Sequence, residues 1–104
     1  MPTTMISGRP IDVNDEGFLV AYDQWDSKLG AELGRLIGIE LTDAHWGPIR
    51  FLRMDYPARG ETATLRRVST VGGFAIKDLF ALFPGKPAKK MAYIAGLPKP
   101  KGCV

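Results

Sequence analysis

Apolar and polar positions divide the chain into a short strand-like start and a longer helical remainder. Met5-Ile6 and Pro10-Ile11-Asp12-Val13 flank Ser7-Gly8-Arg9, a turn signal. Asn14-Asp15-Glu16-Gly17 is a second turn, after which Phe18-Leu19-Val20-Ala21-Tyr22 resumes an apolar run. These segments predict a small antiparallel meander, marginal alone and in need of something to pack on. From Asp26 the period becomes helical. Asp26 or Ser27 can cap a helix carrying Leu29, Leu33, Leu36 and Ile37 on one side, with Gly30, Gly34 and Gly38 as a small-residue ridge suited to close packing. Thr42 can cap a second helix running towards Tyr56, with Ile49, Leu52 and Tyr56 on one face. Pro48 predicts either a kink there or a fresh start at Gly47-Pro48.

Pro57 to Gly60 reads as a break. Thr62 or Thr64 can open a third helix through Val68, closed by Gly72-Gly73. Ile76, Leu79, Phe80 and Phe83 make the stripe of a fourth, which Pro84-Gly85 ends. Pro87 suits the first position of a fifth helix, and Gly96 suits the residue after its last turn. The fold class expected is α+β and mostly helical: a small N-terminal antiparallel β-meander packed on an array of about five helices. The last eight residues, Leu97-Pro98-Lys99-Pro100-Lys101-Gly102-Cys103-Val104, fit neither period. Alternating prolines predict an extended, flexible, solvated arm, about 25 Å long at about 3.1 Å per residue. One domain is therefore expected over 1–96, with the arm at 97–104.

Length and composition narrow the classes. With 104 residues, 45% of them apolar, the chain can bury one core and has no room for a second domain. No apolar run reaches the roughly 18 residues of a membrane span, and no secretory signal is visible. A single Cys excludes an internal disulfide. A cytoplasmic monomer that does not engage membranes is expected. The net charge of +3 hides an asymmetry. Residues 1–61 hold six Lys/Arg against ten Asp/Glu, whereas residues 62–104 hold eight Lys/Arg against Asp78 alone. A basic C-terminal part favours an acidic partner surface or a nucleic acid. Lys89 and Lys90 on the last helix, and Arg66 on the third, are the expected docking residues on the body.

Most polar landmarks point to structure. His45 is the single histidine and lacks companions at metal-ligand spacing, so a capping or packing role is expected and no metal. Gly72-Gly73 is too little for a phosphate loop, and Asp15-Glu16 lies in a turn where acids are common. The exposed pair Arg66-Arg67 is compatible with phosphate contact but lacks interleaved aromatics. Trp25 and Trp46 read as core. Cys103 is different. It follows Pro-Lys-Pro-Lys-Gly, where little structure can close over it, and Gly102 adds swivel just before the sulfur. A thiol on a reaching arm, near Lys99 and Lys101, is suited to be a covalent carrier group in another protein's active site.

Leu82-Phe83-Pro84, Pro87-Ala88-Lys89, Ile94-Ala95-Gly96-Leu97-Pro98-Lys99-Pro100 and Cys103-Val104 resemble the signature of the DsrC/TusE family of small sulfur-carrier proteins. Asp15-Glu16-Gly17-Phe18-Leu19, Gln24-Trp25, Leu41-Thr42, His45-Trp46 and Arg50-Phe51-Leu52-Arg53 extend the likeness over nearly the whole chain. The sequence departs at Gly85-Lys86, where the family has Lys-Gly, and at Ala63-Thr64-Leu65-Arg66, where it has Pro-Ala-Ile-Arg. The resemblance implies a β-meander on about five helices and a persulfide on Cys103, with no other cofactor. It implies that the arm from Gly96 through Leu97, Pro98, Lys99, Pro100, Lys101 and Gly102 enters partner sites. Members acting with sulfite reductase carry a second cysteine eleven residues before the first; here that position is Ala92. The resemblance is therefore to the single-cysteine branch, a sulfurtransferase in the broad sense. It implies a TusBCD/DsrEFH-type donor complex and a tRNA thiouridylase acceptor, in 2-thiouridine synthesis. The alternatives are a sulfite reductase-type acceptor in sulfur metabolism, or a nucleic-acid-binding regulator with a helix-turn-helix-like arrangement.

Overall fold

The computed structural model describes residues 3–101. β1 (Thr3–Ile6) and β2 (Arg9–Asp12) pair antiparallel, with Ile6 opposite Arg9 and Thr3 opposite Asp12. Ser7 and Gly8 make the turn with φ of 52° and 76°, the paired left-handed conformation whose twist matches a two-residue hairpin. Ile6 and Ile11 face the core, while Met5 is exposed. The expected third strand at Phe18–Tyr22 shrinks to one bridge, Val13 with Leu19. Asn14 Oδ1 accepts from the Glu16 and Phe18 amides at 2.9 and 3.0 Å, so local bonds take donors that a ladder would need. The chain then enters a 3₁₀ turn at Tyr22–Gln24.

α1 (Ser27–Leu36) starts at Asp26, whose Oδ1 accepts from the Leu29 amide at 2.8 Å. The Arg9 guanidinium donates to Asp26 Oδ2 at 2.8 Å and so ties the hairpin to this helix. Leu29, Gly30, Leu33 and Gly34 are its buried face, and Leu36, expected on that face, is 55% exposed. The glycines bring this about. A Cβ on Gly30 would stand 2.8 Å from the Trp25 ring, and one on Gly34 would stand 3.0 Å from the Ile39 carbonyl oxygen. Gly38, expected on the same ridge, lies past the end of the helix.

α2 (Asp43–Arg59) runs unbroken through Pro48 and Pro57. Neither the restart at Pro48 nor the break at Pro57 occurs. A proline orphans the carbonyl four residues back. For Pro48 that residue is Ala44, which is exposed, so water can serve its carbonyl. For Pro57 it is Arg53, whose carbonyl accepts from the Tyr22 hydroxyl at 2.7 Å. His45 caps the start of α2. The Thr42 amide donates to Nδ1 at 3.0 Å, which leaves the proton on Nε2 to donate to the Leu82 carbonyl at 2.9 Å.

α3 (Leu65–Thr70), α4 (Ile76–Leu82) and α5 (Pro87–Ile94) complete the array. α5 packs against α1, α2 and α4, and Met91, Ala92 and Ile94 on it are fully buried with Ile49, Leu52, Val68, Leu79 and Phe83. The expected stripe on α4 is only half covered: Leu79 and Phe83 are buried, while Ile76 and Phe80 are 41% and 46% exposed. The architecture is thus a two-stranded hairpin on five helices. Among the described residues no helix is long and apolar enough to cross a membrane, and no three His, Cys, Asp or Glu side chains gather.

Candidate functional site: the root of the C-terminal arm

Gly102, Cys103 and Val104 lie outside the described residues, so the geometry concerns the stretch that leads to them. α5 ends in a Schellman motif. The Leu97 amide donates to the Ala92 carbonyl at 3.0 Å and the Gly96 amide to the Tyr93 carbonyl at 3.2 Å. Gly96 sits at φ 70°, and a Cβ there would stand 2.5 Å from Trp25 Cδ1 and 2.7 Å from Leu19 Cδ2. Both the backbone and the space require glycine. The residue pair that closes the motif, Ala92 and Leu97, is fully buried.

Two side chains hold the last carbonyls of α5 from outside the helix. Trp25 Nε1 donates to the Ile94 carbonyl at 2.7 Å, and Arg53 Nη1 donates to the Ala95 carbonyl at 3.2 Å. The Arg53 guanidinium lies over the Tyr22 ring at 3.7 Å and the Trp25 ring at 4.4 Å, and also donates to the Tyr22 carbonyl. Burial pushes Arg53 below its ordinary value, against the opposing pull of Tyr22 and Asp23. A cation at a helix C-terminus complements the negative end of the helix dipole.

Further along, Thr62 Oγ1 donates to the Pro98 carbonyl at 2.7 Å, and Pro100 is buried. Lys99 pairs with Glu16 at 3.3 Å and Lys101 with Glu61 at 3.8 Å, both at the surface. The solvated stretch expected from Leu97 onward therefore does not begin there, because buried Leu97 and Pro100 bracket the exposed Pro98 and Lys99.

The docking residues expected on the body fall in two places. Arg66 is exposed and lines an open groove of about 370 Å³ with Ile76, Phe80, Pro100 and Lys101, next to the arm. Lys89 and Lys90 are half-buried on another cleft, with Lys86, Phe18 and Tyr93. Arg67, expected as part of an exposed pair, is engaged. It makes two hydrogen bonds to the Asp55 carboxylate, at 2.9 and 2.7 Å, and holds that carboxyl well below the usual range. Trp25, Arg53 and Thr62 were not expected at the arm. A signal for Arg53 exists: positions 49, 50, 56 and 57 around it on the helix carry no acid, so its charge has to find rings or carbonyls.

Residues 5–104 match the family model described as "DsrC like protein". The dissimilatory-type sulfite reductase subunit gamma of Nitratidesulfovibrio vulgaris is 33% identical over 105 residues, covering 100% of both chains. The sulfurtransferase TusE of Sodalis glossinidius is 34% identical over 105 residues, covering 94% of this chain and 97% of its own. Among solved structures, the crystal structure of dissimilatory sulfite reductase I (DsrI) superposes with a TM-score of 0.84 at 36% identity, over 99% of this chain and 100% of that one. The oxidized gamma-subunit (DsrC) from Archaeoglobus fulgidus superposes with a TM-score of 0.77 at 33% identity, over 99% and 100%.

Proposed function

The chain belongs to the DsrC-like family, and from that membership we propose that it carries sulfane sulfur as a persulfide on Cys103 and hands it to an acceptor protein. The observation that supports this most is the arm root. Ile94, Ala95 and Pro98 are held by Trp25, Arg53 and Thr62, so the stretch that leads to the cysteine is anchored on the body. Holding the root lowers the entropy lost when the tip enters a partner.

The chemistry is thiol–persulfide exchange. The Cys103 thiolate attacks the outer sulfur of a donor persulfide; an S–S bond forms at Cys103, and the donor cysteine leaves as thiolate. In the acceptor, a cysteine thiolate attacks the outer sulfur and Cys103 leaves as thiolate. No oxidant is consumed, and no metal or organic cofactor is required. The chain has one cysteine, and Ala92 is buried, so no internal disulfide can drive release and the acceptor's thiol must do so. This favours a relay of the TusE kind, with a TusBCD/DsrEFH-type donor, a tRNA thiouridylase as acceptor and a cytoplasmic setting for a monomeric carrier. A second reading, an acceptor of the sulfite reductase type, is supported by the gamma-subunit relative that matches over both full lengths. A nucleic-acid-binding role loses support because Arg67 is committed to Asp55.

Intact mass tests the reading. Reduced protein is incubated with a small-molecule persulfide, then treated with reductant, beside Cys103→Ala. The expected result is gain of one sulfur atom, reversed by reductant and absent in the variant. No gain on the native chain overturns it.

A further inference from the structure

A cleft of about 540 Å³ opens between the N-terminal end of α5 and the loop at Glu16–Phe18. Its floor is apolar: Phe18, Ile37 and the ring of Tyr93. Its rim carries Lys86, Lys89 and Lys90, none of which has an ion-pair partner among the described residues. Glu16 also lines the cleft and pairs with Lys99 of the arm. An apolar floor under three unneutralised cations fits an occupant with an apolar anchor and negative flanks.

We propose that this cleft docks an acidic segment of the protein that exchanges sulfur with Cys103. One apolar side chain of that segment sits on Ile37 and the exposed part of Tyr93, and its carboxylates pair with Lys86, Lys89 and Lys90. The proposal rests on the carrier reading above for the identity of the partner, and on the cleft alone for its chemistry. A nucleic acid fits less well. Phe18 is buried and Tyr93 meets it edge-on, with ring centroids 5.7 Å apart at 87°, so the cleft has no pair of open ring faces on which successive bases could stack. Glu16 among the lining residues would repel a phosphate chain. Because Glu16 is shared with Lys99, the docked segment lies beside the arm, where an incoming active site has to be.

The probe is a short labelled peptide of Asp and Glu around a central Leu-Phe pair, titrated into the full chain. Controls are the same peptide with Lys for each acid, and a single-stranded RNA. Amide NMR shifts are expected to cluster at Gly17, Phe18, Ile37 and Tyr93, with affinity falling as salt rises. Lys86→Glu with Lys89→Glu should weaken binding by about tenfold or more, and Glu16→Gln should strengthen it about twofold. Thermal melts verify that the variants fold, and Glu16→Gln keeps the test open if the double variant does not. Shifts elsewhere, indifference to both charge changes, or tighter binding of the RNA to the same residues would overturn the proposal. Persulfide loading from a small molecule is measured on the same samples. A chain that loads sulfur yet ignores the peptide refutes the dock alone; one that binds the peptide yet does not load refutes the carrier reading alone.

Discussion

At its C-terminal end α5 is gripped: Trp25 and Arg53 take its last carbonyls, Gly96 has no room for a Cβ, and Leu97 is fully buried. At its N-terminal end the same helix is open, with exposed Lys86 and half-buried Lys89 and Lys90 over a cleft. Eight residues thus join a rigid emergence point to an accessible charged surface. The difference separates two requirements of a carrier. The tip must leave the body in a reproducible direction, and a partner must find the body without disturbing that direction. One helix rooted at one end meets both.

The sharpest way to break the gripped end is Gly96→Val. The left-handed backbone and the collision with Trp25 and Leu19 should together cost about 3 kcal/mol or more, read by thermal or urea unfolding. A stability unchanged within about 0.5 kcal/mol would show that the Schellman motif does not need glycine here. Arg53→Ala follows. It removes the stacking on Tyr22 and Trp25 and two hydrogen bonds, for an expected loss of about 2 kcal/mol, which Arg53→Lys should restore only in part. Thr62→Val removes only the donor to Pro98. The expected loss is about 1 kcal/mol, but the amides of Lys99 and Lys101 should exchange with solvent faster. Equal exchange rates would mean that the arm root is held without Thr62. At the open end, Lys89→Gln should leave stability within about 0.5 kcal/mol of the native chain, since Lys89 has no ion-pair partner among the described residues and glutamine keeps much of its stem.

Acid provides a separate handle that leaves both ends of α5 aside. The Leu29 amide and Arg9 hold the Asp26 carboxyl below its ordinary value of 3.8, and Arg67 does the same for Asp55. A carboxyl with a lowered folded-state pKa stabilises the fold above its ordinary value and loses that contribution as the pH falls through the folded one. Stability should therefore fall as the pH drops below about 4, and Asp55→Asn should flatten that dependence. The Asp55 side chain is 9% exposed, so Arg67→Ala at neutral pH, which strands the carboxylate, should be costlier than Asp55→Asn.

Local signals were legible where neighbours along the chain decide the outcome. Asp26 as a helix cap, Pro87 at the start of α5, Gly96 after it and His45 as a capping residue all act within a few residues of their partners. The proposal for Cys103 comes from the same kind of signal, since the prolines, lysines and glycine around it are contiguous. What sequence alone could not place were partners far apart in the chain. Arg53 meets Ala95 across 42 residues, Thr62 meets Pro98 across 36, and Trp25 meets Ile94 across 69. The fresh start allowed at Pro48 and the break at Pro57 do not occur because propensity sees the missing donor but not the exposed Ala44 or the Tyr22 hydroxyl that compensates for it. The sequence by itself therefore determined the number of helices, the turn of the N-terminal hairpin and the glycine that ends α5. Only the tertiary structure decided how far the stretch after α5 stays anchored and which face stays open. Those depend on which buried carbonyls find donors and which lysines find none, and such pairings exist only after the chain has folded back on itself.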